Sequence, residues 1–290
     1  MTTKIQKYDF KEGLPHEFEI IDFKFLFNEF STEIGQSHRA EFYQVIWFQE
    51  GETTHLVDFN PIQTKPNTLI FVGKGSVQRF DNKANVKGKV ILFTDDFFCK
   101  SESETKFLRS TILFNDLLSI SKIDISKSES IFTTILHQLE HELEHSNDNY
   151  QSNILHNNLQ NLLLHAERER RQQDFIKINQ DANFEYSLVF KEVLDNHFIL
   201  HKKVNFYCNE MHLTPKRLNQ ATSKIFGKTP KELIDDRVLL ESKRLLVHTT
   251  DNIKEIAFSL GFDEPTNFIK YFKKHIDKTP VEFRTEFVSA

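Results

Sequence analysis

The chain has 290 residues, of which 39% are hydrophobic, with a net charge of −5 and two cysteines, Cys99 and Cys208. That length predicts about two domains. Two thiols exclude a disulfide framework and fit a reducing cytoplasm, and the lack of an apolar run of about 18 residues argues against a membrane-spanning helix. The opening "MTTKIQKYDFKEG" has no apolar stretch of the kind a secretory signal needs. Charge is unevenly spread: residues 184–290 hold 17 Lys+Arg against 15 Asp+Glu, and residues 1–183 hold 20 against 27. Only the C-terminal third has a balance that suits a polyanion, and that balance acts only if the cations cluster on one face.

Residues 18–98 read as β-structure. "FYQVIWF" (42–48), "TLIFVG" (68–73) and "KVILFTDDFF" (89–98) are apolar, β-branched or aromatic runs separated by turn-rich stretches, a spacing that predicts a barrel or sandwich. "GQSHRAEFYQVIWFQEG" (35–51) resembles a first cupin motif through His38, Glu41 and Gly51. A metal-binding cupin needs further His ligands, and Gln78 stands where the second motif would place one, so no metal is expected here. His38 and Arg39 are instead the candidates for contact with a small effector at the barrel mouth, against the plainer reading that they are rim residues.

Residues 105–173 read as helical. Ile131, Ile135, Leu139 and Leu143 follow one another at helical spacing, as do Leu155, Leu159, Leu162, Leu163 and Ala166. The second stripe is read as the seam of a homodimer, with Leu155, Leu159, Leu162 and Leu163 at its centre, or else as internal core. His137, His141 and His145 recur every four residues along one helix face, a spacing that can bind zinc. The interleaved Glu140, Glu142 and Glu144 favour a solvated face. The polar stretch 174–183 reads as a linker.

Residues 184–290 are helical throughout and contain a repeat. Val204, Tyr207, Cys208, Met211 and Leu213 recur as Ile253, Ile256, Ala257, Leu260 and Phe262, and "KTPKEL" (228–233) recurs as "KTPVEF" (278–283). Each copy reads helix, tight turn, helix. In the second, Gly261 supplies a left-handed turn residue. Asp263 or Glu264 is placed to cap the next helix, Pro265 suits its first position, and Phe268 and Phe272 bury one face. Thr266, Asn267, Lys270, Lys273 and Lys274 are then left pointing outward. In the first copy Thr214 caps, Pro215 opens, Leu218 packs inward, and Lys216, Asn219 and Gln220 face out. This is the layout of a helix-turn-helix, whose second helix enters the DNA major groove. Asn and Gln pair with adenine, and Lys reaches guanine or phosphate. "PKELIDDRVLLESKRLLVH" (230–248) reads as one long helix between the copies.

With "IKEIAFSLGFDEPTNFIKYFKKHIDKTPVEFR" (253–284) and "RVLLESKRLL" (237–246) in place, segment 200–287 resembles the DNA-binding domain of the AraC-type (AraC/XylS) transcription regulators. The resemblance implies an α+β chain. It would have a cupin-like β-barrel (1–104), a helical dimerisation segment (105–173), a linker (174–183) and an all-α domain (184–290) with two helix-turn-helix units on a linking helix. It implies base reading by Lys216, Asn219 and Gln220 and by Thr266, Asn267 and Lys270, with double-stranded DNA and a second copy of the chain as partners; Lys273 and Lys274 are read as phosphate contacts rather than base contacts, and no cofactor is expected. Three positions depart from the pattern: His212 for a turn Gly, Cys208 for a small Ala, and Thr222 for a buried Phe. The competing readings are a regulator whose barrel is only a scaffold, and a cupin-fold enzyme with a helical appendage. Against the enzyme, the sequence has no second His motif, no nucleotide loop, no GxSxG and no CxxC pair.

Overall fold

The computed structural model describes residues 6–8, 10, 14–81, 85–114, 120–145, 148–173 and 181–288. It divides into two compact units, one covering Lys7–Lys177 and the other Ile178–Ala290.

The first unit opens with β1 (Gln6–Tyr8), β2 (Phe18–Asp22) and the short helices α1 (Phe23–Glu29) and α2 (Ser31–Ile34). Seven strands follow: β3 (His38–Ala40), β4 (Tyr43–Glu50), β5 (Thr53–Val57), β6 (Asn60–Thr64), β7 (Thr68–Val72), β8 (Val77–Arg79) and β9 (Lys87–Phe93). Then come α3 (Asp95–Phe98), α4 (Glu102–Ser110), β10 (Ser121–Asp124), α5 (Glu129–Glu144) and α6 (Gln151–Gln172). The strands form two five-stranded sheets, ordered β1-β3-β8-β5-β6 and β10-β7-β4-β9-β2. The expected barrel is therefore, among the described residues, a pair of sheets rather than one closed ring.

The apolar run "FYQVIWF" is continuous because β4 is buried on both faces. Its pleat sends Val45 and Trp47 one way and Ile46 and Phe48 the other. Ile46 and Phe48 join Ala40, Val57, Ile70 and Phe80 in a core between the sheets. Val45 and Trp47 join Phe71, Phe93, Phe132 and the leucines of α6 in a second core on the outer face.

That second core corrects three expectations. First, the predicted boundary near residue 104 does not divide the chain, because α5 and α6 pack on the sheet and β10 pairs with β7 from inside the segment read as helical. Second, "KVILFTDDFF" is not one strand. The strand ends at Phe93, and Thr94 caps α3 by accepting from the Phe97 N–H. Third, Leu155, Leu159, Leu162 and Leu163 are fully buried within their own unit, at 0–1% exposure. They are core and are not available as a dimer seam. On α5 the buried face is Phe132, Ile135, Leu136 and Leu139, while Ile131 and Leu143 are exposed. Steps of four residues drift about 40° each on a helix of 3.6 residues per turn, so a 131–135–139–143 stripe leaves the core at both ends.

The second unit contains α7 (Ala182–His197), α8 (Val204–Glu210), α9 (Pro215–Phe226), α10 (Pro230–His248), α11 (Ile253–Ser259), α12 (Pro265–Ile276) and α13 (Pro280–Val288). Of the linker read at 174–183, residues 174–180 lie outside the described residues, and Asp181 caps α7 through bonds from the Asn183 and Phe184 N–H groups. No helix of the described residues is long and apolar enough to cross a membrane.

A candidate nucleic-acid interface and a cavity between the sheets

The internal repeat survives at the level of single hydrogen bonds. After α8, the Leu213 N–H donates to the Cys208 carbonyl at 2.9 Å; after α11, the Phe262 N–H donates to the Ala257 carbonyl at 3.0 Å. Both closures need a left-handed residue in the turn, supplied by His212 at φ 51° and Gly261 at φ 71°. At Gly261 space is also short. A Cβ there would lie 2.1 Å from the Ile199 carbonyl oxygen, which Lys202 Nζ grips at 2.6 Å while also reaching the Gly261 carbonyl at 3.2 Å. The repeated KTP motifs are matching helix starts. Thr229 and Glu232 form a capping box on α10, and Thr279 and Glu282 exchange the same bonds at α13.

Each second helix then shows an apolar inner face and a polar outer one. On α12, Phe268 and Phe272 are buried and Thr266, Asn267, Lys270, Lys273 and Lys274 are exposed. On α9, Leu218, Ala221 and Thr222 are buried and Lys216, Asn219 and Gln220 are exposed. Thr214 caps α9 by accepting from the Arg217 N–H. Glu264 occupies the cap position of α12 without a side-chain bond, so the expected capping there is positional only. Thr222, at the place read as a missing Phe, is fully buried, with its hydroxyl 3.4 Å from the Asn219 carbonyl.

Sequence reasoning missed how α9 is held. Arg217 lies against α7, its guanidinium 5.0 Å from the Tyr186 ring centre, and donates to Asn183 Oδ1 at 2.9 Å and Gln220 Oε1 at 3.0 Å. The Gln220 oxygen is thus occupied and its amide N–H groups are left for another acceptor. At the far end of α9, Lys224 pairs with Asp181 at 2.5 Å and pulls that carboxyl down to about 2. On α12, the Tyr271 hydroxyl donates to Asp235 Oδ1 of α10 at 2.7 Å. Burial, followed by that contact, pushes the Tyr271 phenol well above its usual range. Both outward-facing helices are therefore braced from behind. Linking them, α10 has 19 residues, roughly 28 Å at 1.5 Å per residue, comparable with the 34–36 Å of one DNA turn.

In the first unit a cavity of about 420 Å³ opens between the two sheets, within the size range of small-molecule sites. Phe25, Leu26, Phe42, Phe80, Val90 and Leu92 supply much of its apolar wall, and His38 lines it. Arg39 is not among its lining residues. Alternation along β3 buries His38 and Ala40 on one face and sends Arg39 to the other. Behind the wall, His55 Nε2 lies 3.1 Å from Gln78 Oε1, and Gln78 Nε2 donates to Gln44 Oε1 at 2.7 Å. Gln78 is thus tied into a buried chain of amides. Glu41 is not in the cavity lining, and among the described residues no group of three His, Cys, Asp or Glu is placed to hold a metal. His137 and His141 are exposed on α5, and His145 is exposed just past its end.

The family model described as "Helix-turn-helix domain" matches residues 207–286, the segment that carries both repeats. The chain is 30% identical over 82 residues to the probable transcription factor PqrA of Proteus vulgaris, covering 28% of this chain and 67% of that protein. It is 26% identical over 96 residues to the lactose operon transcription activator of Staphylococcus xylosus, covering 33% and 34%. Among solved structures, ToxT from Vibrio cholerae aligns over 93% of this chain and 98% of its own, at 15% identity and a TM-score of 0.45. The chain spans only about a third of the lactose operon activator and 37% of another of the curated relatives it matches, a RhaS activator of Escherichia fergusonii. The named relatives are transcription regulators, and the match falls on the repeat whose turns, caps and braced helices are described above: the chain belongs to the AraC-type (AraC/XylS) family of transcription regulators.

Proposed function

We propose that this protein is a sequence-specific DNA-binding transcription regulator that acts as a homodimer in the cytoplasm and responds to a small molecule held between its two β-sheets. The observation that carries the DNA reading is the pair of braced helices, α9 and α12, each with an exposed polar face and separated by one linking helix. Lys216, Asn219 and Gln220 read one major-groove segment. Thr266, Asn267 and Lys270 read the next, and Lys273 and Lys274 contact phosphate. Phosphate contacts set affinity and register, and base contacts set sequence.

The effector reading rests on the cavity. A ligand there changes DNA binding only if it favours one arrangement of the molecule over another. For the dimer, the buried leucine stripe leaves the outer face of α5 and α6 as the surface, where Ile131 and Ile154 are exposed beside Thr134, His137 and His141.

The test is selection of sites from a random duplex pool by the full-length protein, with Lys270→Ala and Asn219→Ala in parallel. The pool is expected to converge on two segments roughly 10 bp apart, and each variant to relax a different one, losing about 1–3 kcal/mol of discrimination there. Convergence on a single segment, or two variants that relax the same one, contradicts the two-unit reading.

A further inference from the structure

Tyr8, Glu33 and His38 come together in the lining of the cavity between the sheets. The Tyr8 and His38 rings meet edge to face at 5.5 Å. Glu33 lines the same cavity, and burial, and then the charge of Glu33, push the Tyr8 phenol upward. Each of the three offers an acceptor. The Tyr8 hydroxyl oxygen is buried and has no hydrogen-bond partner among the described residues. His38 is 6% exposed, and burial lowers its pKa, so its ring is neutral near pH 7. Its Nδ1 lies 3.1 Å from the Gln36 carbonyl oxygen. That oxygen can only accept, so Nδ1 carries the proton and Nε2 is left as an acceptor. Glu33 adds two carboxylate oxygens and a full negative charge. A second carboxylate, Glu19, lines the same space. The rest of the wall is largely aromatic and aliphatic.

We propose that this cavity binds a hydrophobic primary amine, with the ammonium received by Glu33, Tyr8 Oη and His38 Nε2 and the apolar part by Phe42, Phe80, Leu92 and their neighbours. The inference rests on the reading of the cavity as an effector site and adds the chemistry of the effector. An ammonium has three N–H donors, and three acceptor groups are present for them. All three bonds have an ionised donor, and the one to Glu33 also pairs opposite charges. A neutral alcohol of the same size brings one donor and leaves the Glu33 carboxylate unpaired beside an apolar wall, where an unmatched charge is costly. A ligand carboxylate meets Glu33 and Glu19 as like charges, which disfavours it further.

The experiment uses the full-length protein at pH 7 with decylamine, decanol and decanoate, each below its micellar concentration, followed by thermal melting and calorimetric titration. Decylamine is expected to raise the melting temperature and to bind roughly tenfold or more tightly than decanol, the factor one charge-assisted hydrogen bond supplies; decanoate is expected not to bind. Glu33→Gln should remove the preference for decylamine over decanol, with decanol binding no more weakly once the unmatched charge is gone. If Glu33→Gln loses decanol as well, Tyr8→Phe decides. Weaker decylamine with unchanged decanol supports the proposal, and unchanged decylamine overturns it. Decanoate binding as tightly as decylamine, or a Glu33→Gln variant that keeps its full preference for the amine, also overturns it. In those two outcomes the cavity remains a ligand site and only the class is wrong. No binding by any of the three compounds overturns the class and removes support from the sensing role too.

Discussion

At the scale of single residues, the two copies of the helix-turn-helix differ most at the turn. Gly261 and His212 do the same backbone job, but only Gly261 does it without strain, and only there does the Ile199 carbonyl leave no room for a Cβ. Gly261→Ala is therefore expected to destabilise the helical unit by more than about 1 kcal/mol. His212→Gly should stabilise it by about 0.5–1 kcal/mol by relieving a left-handed side-chain residue. Melting followed by circular dichroism checks both signs, and a His212→Gly variant that melts earlier contradicts the account. In the other unit, burial drives His55 down to about 4, against a weaker opposing pull from its bond to Gln78. The unfolded chain takes up that proton near 6.5. Below 6.5 it therefore binds a proton the folded form refuses, and stability is lost as pH falls from about 6.5 towards 4. Between pH 7 and pH 5 this amounts to about 2 kcal/mol. Denaturant midpoints read from the fluorescence of Trp47, the single tryptophan, should fall over that range, and by less in His55→Gln. An equal fall in both proteins contradicts the assignment. The outward residues of α9 and α12 were legible in the sequence because helical periodicity separates them from Leu218, Phe268 and Phe272. Tyr8 and Glu33 were not, since they belong to no motif and line one cavity only once strand β1 and helix α2 are placed around it. Arg217 was hidden because its partners, Asn183 and Tyr186, sit on a helix that lies outside the repeat.

At the scale of elements, α6 shows what periodicity can and cannot decide. Its leucine spacing correctly gave one buried stripe, but a stripe is the same whether a sheet or a second subunit covers it. What covers it became visible only with the fold, where Trp47 of β4 and Phe132 and Ile135 of α5 share one core with the leucines. Leu159→Ala is therefore expected to cost about 2–5 kcal/mol, the usual range for emptying a core leucine site. The loss should be independent of protein concentration. A dimer seam would instead show a stability loss that shrinks at high concentration, and that result would return the stripe to the interface. Ile154→Glu, on the exposed side of the same helix, is the complementary change. It should leave the melting of the monomer nearly unaltered and, in sedimentation, shift the protein from dimer to monomer. Strand β10 escaped the sequence reading for a physical reason: it is four residues long and lies between helical stretches, so neither its length nor its surroundings announce a strand.

At the scale of the whole molecule, two units of different character share the chain, one of paired sheets backed by helices, the other entirely helical. The helical unit was nearly complete in the sequence, because the repeat states its turns and the KTP helix starts twice. The β-rich unit was legible only as strands, since which strands pair, and whether they close a ring, depends on contacts far apart in sequence. In the proposed function, α9 and α12 of one chain read two successive major-groove segments. Hydroxyl-radical and base-methylation footprinting of the full-length protein on its selected site tests it most directly. Two protected major-groove windows per subunit are expected, roughly 10 bp apart, with Lys270→Ala opening one window and Asn219→Ala the other. A single window per subunit, unchanged by Asn219→Ala, would contradict it and leave α9 as a structural partner of a reader built from α12 alone.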